Sequence, residues 1–535
     1  MKKKMLMFLF ACIFAAGILP AVTFAADTDA APAVYISADG DDAAGDGTKD
    51  KPYATLSRAV TEAPDGATIY VMSDLTVTRC ARYYDKALTI ASGEGGPFTI
   101  TRGSDFECQQ DPARSTYNPA MIEVGGQTND KPSAFLRLEN IILDDAGLRE
   151  GSRFLQAESD GDGNTVDTKG NVLSNTDIVP DAMVATYNGV ADICLGDGAV
   201  LRNFGGMSAV RVSGGTLTME SGSLIEDTIA ADRVKNKADY GAAGAVWSQG
   251  GAVTMEEGSK ICGAVGRAIY MDGGTADISG VISQIKEDVS MWWGNSGVAV
   301  HVRNGASVVL TSTGRILDLP NDGFAVDIIN DGSQFTMDGG SVLRGGKNGV
   351  NITSGSLYMN GEITGYTRGG HVVQMSGEGN KYCKIGASGY IHGNTCWYGA
   401  IYIQAPDGVL DIYGKINDNT NSDRGGAIAM ANNFAGHLVT MYDGAEIIGN
   451  HSDQTGGGIM VSCGTFVMNG GTISCNTAGM EGGGVFVRRG GIFIMNGGRI
   501  TDNVSAAYGG GIAYEAQPYH GLDPRVELLG GTVSD

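Results

Sequence analysis

A short phrase that recurs near the C-terminus constrains the fold of this 535-residue chain more than any other feature. Each copy reads Ile-x-x-Asn and is followed a few residues later by a glycine-containing stretch that ends in Ile or Val. The five copies begin at residues 391, 416, 447, 473 and 500, so their spacings are 25, 31, 26 and 27 residues. Self-similarity at a period of roughly 20–50 residues indicates a repeat architecture.

Apolar residues within each repeat follow the periodicity of a strand. In segment 465–469, Phe466 and Met468 would point to one side of a strand and Val467 to the other. No amphipathic helical segment interrupts the repeats, which excludes leucine-rich and helical solenoids. Propeller blades need about 40 residues, which is longer than the period found here. The sequence therefore predicts an all-β fold, a parallel β-helix (solenoid) with one coil per repeat.

Stacked coils would align equivalent side chains into ladders with a spacing of about 4.8 Å. The apolar ladders predicted for the interior are Ile428, Ile459, Val485 and Ile512; Met441, Met468 and Met495; and Ile416, Ile447, Ile473 and Ile500. A ladder of hydrogen-bonded amides is predicted for Asn419, Asn450, Asn476 and Asn503. We expect these asparagines to adopt left-handed backbone at one corner. We expect the paired glycines to supply positive φ and close approach at another.

Charge and the N-terminal segment constrain the partners and the location. The net charge of −23 argues against nucleic-acid or anionic-membrane partners, because phosphate groups would be repelled. Residues 1–25 have the pattern of a signal peptide, with lysines at positions 2–4, a mostly apolar run, and small residues around Ala25. No later segment reaches about 18 apolar residues, so we expect no membrane span in the mature chain. The protein is predicted to be secreted or displayed on the cell surface.

Residues 26–65 carry a pattern of their own. A short strand at Tyr35 leads through a Gly/Asp loop to Pro52 and Tyr53, and apolar residues at helical spacing follow from Leu56. This order resembles the N-terminal segment of bacterial right-handed parallel β-helix proteins of the pectin-lyase-like superfamily. The resemblance implies a right-handed β-helix whose first coil is covered by an N-terminal capping helix.

The β-helix is expected to occupy residues 66–535 and to contain about a dozen coils. Segments 103–190 and 286–297 depart from the repeat pattern and are expected to form loop excursions. The Ile-x-x-Asn and Gly-Gly-x-Ile phrases look like the repeats of polymorphic outer-membrane proteins and related adhesin-like surface proteins, although the second motif of that family usually begins with Phe. Residues 530–535 stop in the middle of a repeat, so we expect a truncated C-terminus.

The sequence identifies no catalytic residues. Pectin-hydrolysing relatives of the β-helix superfamily carry paired carboxylates for glycoside hydrolysis, and this chain matches only their Asn-Thr-Asp (175–177) and Arg-x-Lys (233–235) motifs. A lyase would need a Lys or Arg base beside carboxylates that hold Ca²⁺. Four aspartates are assigned to comparable strand positions, but on coils that are not adjacent: Asp192, Asp277, Asp327 and Asp411. The six histidines suggest no triad.

Two acidic loops are candidate Ca²⁺ sites, with solvated loops as the alternative for both. Asp160, Asp162 and Asn164 have the alternate spacing of an EF-hand start but lack its later Gly and Glu. The other loop contains Asp39, Asp41, Asp42 and Asp46. A third acidic set could line one edge as a weak cation site or, as we favour, block association there: Asp423, Asp453 and Glu481. No cofactor is required by the sequence, and Ca²⁺ is the candidate ion.

Aromatic residues and cysteines complete the set of candidates. Aromatic platforms for sugars, or alternatively buried loop anchors, are expected at Trp292, Trp293, Trp397 and Tyr398. Cys463 and Cys475 could form a disulfide across one coil in an oxidising space, whereas the other cysteines look like small core residues.

These observations favour an exported, non-enzymatic, adhesin-like protein that presents loops to an extracellular polysaccharide or a surface protein. The alternative is a polysaccharide-active enzyme, pectate-lyase-like, that cleaves uronate polymers by Ca²⁺-dependent β-elimination. Both readings rest on analogy at the level of the fold. A groove lined by Arg or Lys and several acids would favour the lyase, and a smooth rod with variable loops would favour adhesion.

Overall fold

The computed structural model describes most of the chain outside its first thirty residues. The described residues are 31–107, 120–125, 134–145, 158–159, 165–166, 182–187, 190–206, 208–230, 244–286, 297–319, 323–430, 436–516, 518 and 521–534. The signal peptide predicted for residues 1–25 lies outside them. No helix in these ranges is long and apolar enough to cross a membrane.

Three long parallel sheets form a right-handed parallel β-helix, which confirms the predicted fold class. Each regular coil contributes one strand to sheet 1, then one to sheet 2, then one to sheet 3. Sheet 1 contains the 17 strands Ala33–Ile36, Ala67–Val71, Ala87–Ser92, Ala134–Glu139, Ala191–Leu195, Thr216–Met219, Ala252–Met255, Thr275–Ile278, Ser307–Leu310, Gln334–Met337, Gly355–Met359, Lys381–Ile385, Gly408–Ile412, His437–Met441, Gly464–Met468, Ile492–Met495 and Arg525–Leu528.

Sheets 2 and 3 complete the three-sided coil. Sheet 2 contains the 16 strands Leu75–Arg79, Phe98–Glu107, Ile141–Asp144, Val200–Arg202, Leu224–Glu226, Lys260–Cys262, Val281–Ser283, Arg315–Leu317, Val342–Gly346, Glu362–Tyr366, Tyr390–His392, Lys415–Asn417, Glu446–Ile448, Thr472–Ser474, Arg499–Thr501 and Thr532–Ser534. Sheet 3 contains the 15 strands Ala81–Tyr84, Ile122–Gly125, Ala182–Tyr187, Ser208–Ser213, Val246–Gln249, Arg267–Asp272, Val298–Arg303, Phe324–Ile328, Asn348–Ile352, Val373–Met375, Ile401–Ile403, Ile428–Met430, Ile459–Ser462, Val485–Arg488 and Ile512–Tyr514.

Three smaller sheets and one helix account for the remaining elements of the described chain. A corner sheet between sheets 2 and 3 contains Thr395–Cys396, Thr420–Asn421, His451–Ser452, Thr477–Ala478 and Val504–Ser505. The two-stranded sheets pair Gly205–Gly206 with Ile229–Ala230 and Glu158–Ser159 with Thr165–Val166. The α-helix spans Leu56–Glu62.

The stack is longer than the expected dozen coils, since the three long sheets contain 17, 16 and 15 strands. Even segment 103–190, expected to form loops, contributes in-register strands such as Ile122–Gly125 and Ala182–Tyr187 to sheet 3. The N-terminal helix begins after Thr55, whose side chain accepts a hydrogen bond from the backbone N–H of Arg58. Its buried face, formed by Leu56, Ala59 and Val60, packs onto the core of the first coils.

The predicted ladders are present in register. Ile428 pairs with Ile459, Met441 with Met468, and Ile447 with Ile473, and the same alignment continues through the later copies. All members are buried except the last one, Ile512, which is half-buried. Stacking like on like therefore builds one continuous apolar core along the coils.

The asparagine ladder is also present, and it begins one coil earlier, at Asn394. Each Nδ2 donates to the Oδ1 of the asparagine in the next coil, at 2.9–3.0 Å. Each of these Oδ1 atoms also accepts the backbone N–H of the preceding asparagine. The prediction of left-handed backbone at the asparagines is wrong by one residue. Positive φ occurs at the residue before each: Gly393, Asp418, Gly449, Cys475 and Asp502.

Paired glycines form the other corner as predicted. The first glycine of each pair has positive φ, between 65° and 69°, at positions 425, 456, 482 and 509. The following glycines permit close approach: a Cβ on Gly458 would lie 2.6 Å from the carbonyl oxygen of Gly484 in the next coil. A side chain at these positions would therefore separate the coils.

The proposed disulfide does not form. Cys463 follows a strand of sheet 3 and Cys475 follows a strand of sheet 2, so the two thiols lie at different corners of the coil. Neither Cys463 nor Cys475 takes part in a disulfide in the described chain. The Cys463 thiol donates to the carbonyl oxygen of Arg489 at 3.0 Å instead.

We predict that Asn476→Ala lowers the free energy of unfolding by about 3 kcal/mol, because it leaves the buried amide and backbone donors of Asn450 without their acceptor. Urea unfolding followed by circular dichroism would measure the change. Asn469→Ala is the matched control, because Asn469 accepts only from Asn496 in an exposed pair, and its effect should stay below about 1 kcal/mol. Equal losses in the two variants would contradict the role of the buried ladder.

Candidate functional site

The outer face of sheet 3 differs from the outer faces of the other two sheets. Sheets 1 and 2 alternate buried and more accessible residues, as in Gly464–Met468. In sheet 3, strands such as Ser208–Ser213 and Val298–Arg303 are buried at five consecutive positions, so both faces are covered. A strand that is buried on both faces would ordinarily be apolar throughout. Here the outward positions are largely polar.

Six outward side chains on consecutive coils form what we call the polar row. Their strands pair in parallel, and the residues occupy the same register position. The polar row consists of Arg211, Trp247, Tyr270, His301, Asp327 and Asn351. Arg211 and Asp327 are only 3% exposed, and His301 is 5% exposed. Burying ionisable groups is costly unless they are paired, so this row is a candidate functional feature as well as a structural one.

Tyr270 is the centre of the polar row. Its ring stacks on the imidazole of His301, with centroids 4.9 Å apart and planes 3° apart, and meets the edge of Trp247 at 6.3 Å. The Arg267 guanidinium lies 5.1 Å from the ring centroid, and Arg303 Nη1 donates to the hydroxyl at 2.8 Å. Two cationic groups therefore surround one aromatic ring.

His301 and Asp327 lie side by side under this stack. His301 Nδ1 is 3.2 Å from Asp327 Oδ2, but the ring orientation falls outside hydrogen-bond geometry. The other carboxylate oxygen accepts from Asn351 Nδ2 at 2.9 Å, and Asn351 is in turn held by Ser376. Burial lowers the pKa of His301, and the neighbouring carboxylate opposes the shift only in part. A neutral imidazole beside a fixed carboxylate is suited to proton transfer.

A second group of rings, which we call the aromatic strip, continues the face beyond the polar row. It consists of His371, Tyr402, Tyr398 and Trp397, stacked in that order with centroid distances of 4.9, 5.0 and 6.2 Å. The planes differ by no more than 22°. Trp397 is 60% exposed, whereas Tyr398 and Tyr402 are half-buried. The strip therefore presents a flat ring to solvent on a preformed support.

Local structure places these rings. Trp397 and Tyr398 follow the corner strand Thr395–Cys396, and Tyr402 points outward from the sheet 3 strand Ile401–Ile403, between two buried isoleucines. Burial lowers the pKa of His371 to about 4, so its imidazole is neutral near pH 7. Burial is also the main cause of the raised pKa of Tyr398, to which Asp423 adds.

Of the two predicted calcium loops, the structure describes only the N-terminal one. Asp160, Asp162 and Asn164 lie outside the described residues. In the N-terminal loop the carboxylates serve local turns: Asp41 accepts from two backbone N–H groups, and Asp42 accepts from Thr55. Across the described ranges, no three His, Cys, Asp or Glu side chains converge as a metal site would require.

The other acidic candidates are also separated. Asp327, which was expected at the same strand position as three other aspartates, lies on sheet 3, while Asp192, Asp277 and Asp411 lie on sheet 1. Side chains point alternately inward and outward along the strands of every sheet, so the sequence alone did not show which sheet each aspartate joins. In the acidic set between the corners, Asp423 pairs with the neighbouring Arg424, and Asp453 pairs with His451. Trp292 and Trp293 lie outside the described residues.

Sequence reasoning missed the polar row because its members are 23–36 residues apart and no motif joins them. One signal was present. Each member from Trp247 to Asn351 directly follows a ladder residue, in the pairs Val246-Trp247, Ile269-Tyr270, Val300-His301, Val326-Asp327 and Val350-Asn351. Aligning the early coils on these Val and Ile residues would have shown the row.

No protein-family model matches the chain and no curated protein matches it, so the resemblance to the pectin-lyase-like superfamily remains a prediction. Among solved structures, the chain is similar to a GH136 lacto-N-biosidase from Eubacterium ramulus, determined as the selenomethionine derivative. The identity is 11%, the match covers 94% of this chain and 68% of that chain, and the TM-score is 0.20. A similarity at this TM-score carries no argument about the function of this protein.

We predict that His371 makes stability depend on pH. Its folded-state pKa of about 4 lies below the ordinary value of 6.5, so the unfolded chain takes up the proton first as the pH falls. The contribution of the neutral His371 imidazole to the free energy of unfolding is complete above pH 6.5. It is lost between pH 6.5 and 4, by at most about 3 kcal/mol. Urea unfolding at pH 7 and at pH 4.5 should show a smaller pH-dependent loss for His371→Gln than for the wild type. An identical loss would contradict the assignment.

Proposed function

We propose that this chain is an exported, adhesin-like β-helix protein that binds an extracellular carbohydrate on the aromatic strip of sheet 3. The observation that carries the proposal is the four-ring stack that ends in Trp397, whose indole is 60% exposed on a preformed support. Aromatic rings with one open face are suited to packing against the apolar C–H face of a sugar ring. Because the rings already stack in the free protein, little conformational entropy would be lost on binding.

Neutral polar groups beside the strip would supply specificity. Gln374 Nε2 donates to Gln404 Oε1 at 3.2 Å on neighbouring coils, which leaves further amide donors and acceptors for sugar hydroxyls. The imidazole of His371 is neutral near pH 7 because burial lowers its pKa. This set of groups favours an uncharged sugar unit at the strip.

The stack of coils would form a rod that displays the aromatic strip to its ligand. Sixteen stacked strands of sheet 2 correspond to a length of about 75 Å at about 4.8 Å per coil. A predicted signal peptide at residues 1–25 and a net charge of −23 suit a soluble exported protein. Calcium bound by Asp160, Asp162 and Asn164 stays part of the proposal as a prediction, and calorimetry with Ca²⁺ on Asp160→Asn and wild type would test it.

We predict that Trp397→Ala weakens binding of a neutral oligosaccharide by about tenfold or more, since the exposed stacking face is removed. A glycan array would identify the oligosaccharide, and isothermal titration calorimetry would measure its affinity for each variant.

Tyr508→Ala is the matched control, because Tyr508 is an aromatic residue that is 74% exposed and lies outside the strip. It should keep the affinity of the wild type. The proposal fails if no neutral glycan binds, or if Trp397→Ala and Tyr508→Ala bind equally well.

Cleavage of a uronate polymer is the second candidate function, and the polar row favours it. β-Elimination needs a base for the proton next to the carboxylate and cations that stabilise the charge that develops. The neutral His301 beside Asp327 could act as the base, and Arg267 and Arg303 lie around the adjacent Tyr270. Binding at the strip ranks first because His301 and Asp327 are nearly inaccessible, so the enzyme would have to open before a polymer could reach them.

If the polar row is catalytic, incubation with uronate polymers and Ca²⁺ should generate unsaturated products that absorb at about 235 nm. His301→Ala should then lower kcat/KM by about 100-fold or more, because general base catalysis is lost. The exposed Asp453→Asn variant should keep the activity of the wild type. Absence of product from a panel of uronate polymers would eliminate this candidate and leave the binding proposal intact.

A further inference from the structure

A pocket lies on sheet 1, away from the outer face of sheet 3. Its volume is about 310 Å³. It is lined by Tyr358, Met359, Asn360, Lys384, Gly386, Ala387 and Tyr413. These residues belong to three consecutive coils, whose sheet 1 strands are Gly355–Met359, Lys381–Ile385 and Gly408–Ile412.

Tyrosines form the wall of this pocket. Tyr413 stacks on Tyr442 of the next coil, with ring centroids 4.2 Å apart and planes 4° apart. On the other side of the pocket, Tyr358 meets Tyr382 at 5.7 Å in a tilted arrangement. The pocket therefore offers aromatic surface that packing with neighbouring rings holds in place.

Lys384 supplies a positive charge to the pocket. Its Nζ lies 5.1 Å from the ring centroid of Tyr413, and in the described part of the chain it forms no ion pair. The nearest strand does present a carboxylate, since Asp411 lies opposite Lys384 in the register. That carboxylate is instead hydrogen-bonded by the hydroxyls of Tyr382, at 2.9 Å, and Tyr442, at 3.2 Å. The ammonium group is thus available to an external anion.

Asn360 adds a neutral polar group. Its amide lies directly over Gly386, where a Cβ would overlap with Asn360 Oδ1. The φ of Gly386 is not positive, so glycine is required here for space and not for backbone conformation. The pocket wall thus combines an amide, an ammonium group and aromatic rings.

We propose that this pocket binds a single acidic sugar unit, a carboxylated monosaccharide within a glycan. The sugar ring would pack on Tyr413, its carboxylate would pair with Lys384, and its hydroxyls would bond to the amide of Asn360. A volume of about 310 Å³ is at the lower end of the range for ligand pockets, which fits one monosaccharide. In a chain with a net charge of −23, a cation that faces an aromatic pocket without an ion pair marks a local preference for anions.

The test compares methyl glucuronide and methyl galacturonide with the corresponding neutral methyl glycosides, by saturation-transfer NMR and calorimetry on the full chain. The wild type should bind an acidic glycoside and bind its neutral counterpart at least tenfold more weakly. Lys384→Gln should weaken binding of the acidic glycoside by about tenfold or more, because a charge-assisted contact is lost. Gly386→Ala should also weaken it by displacing Asn360.

Controls separate this pocket from the sites on sheet 3. Lys260→Gln removes an exposed lysine of sheet 2 and should have no effect, and Trp397→Ala should lose neutral glycan while keeping the acidic glycoside. Each variant is first checked for wild-type circular dichroism. The proposal is overturned if neither acidic glycoside binds, if the neutral glycosides bind as tightly, or if Lys384→Gln keeps wild-type affinity. None of these results would affect carbohydrate binding at the aromatic strip.

Discussion

The stack of buried asparagine amides sets the geometry on which the later coils depend. Each amide bonds to the next coil, to the backbone N–H of its neighbour and to carbonyl groups beneath it, so it fixes both the register and the turn between sheets 2 and 3. The residue before each asparagine adopts the positive φ that this turn requires. In the coils that carry this corner, the sheet 3 strands pair in register. Trp397 and Tyr398 project from this corner, so the same hydrogen bonds that hold the coils also orient the aromatic strip.

A solenoid separates stability from function. Inward positions repeat Ile, Val and Met because each coil must bury the same surface as its neighbour. Outward positions carry no such constraint, so one sheet can display polar and aromatic groups in rows at a spacing of about 4.8 Å. The polar row, the aromatic strip and the sheet 1 pocket are all formed by side chains at outward positions, which the repeat does not constrain. Their groups differ in charge as well as position: neutral amides and rings at the strip, arginines around Tyr270, and one unpaired lysine at the pocket.

Prediction from sequence succeeded where the physics is local and periodic. The Ile and Met ladders, the asparagine ladder and the glycine corner follow from strand alternation and the repeat, and all are present. It failed where the answer depended on which sheet a strand joins. Asp327 has the same local pattern as Asp411, yet it lies on sheet 3 beside His301 and Asp411 lies on sheet 1 between two tyrosines. Cys463 and Cys475, close in sequence, were placed at different corners.

The sequence by itself determined that this chain is a parallel β-helix and which side chains face its interior. Inward and outward positions alternate along each strand, and the spacing of the repeats gives the length of each coil. The tertiary structure decided which outward positions come together. Tyr270, His301, Asp327 and Asn351 meet only because residues 24–31 positions apart lie on strands that stack in register. It also decided that outward side chains are buried along sheet 3 strands such as Val298–Arg303 while those of sheet 1 strands such as Gly464–Met468 are more accessible, since the covering of a face depends on contacts between distant segments that no local pattern records.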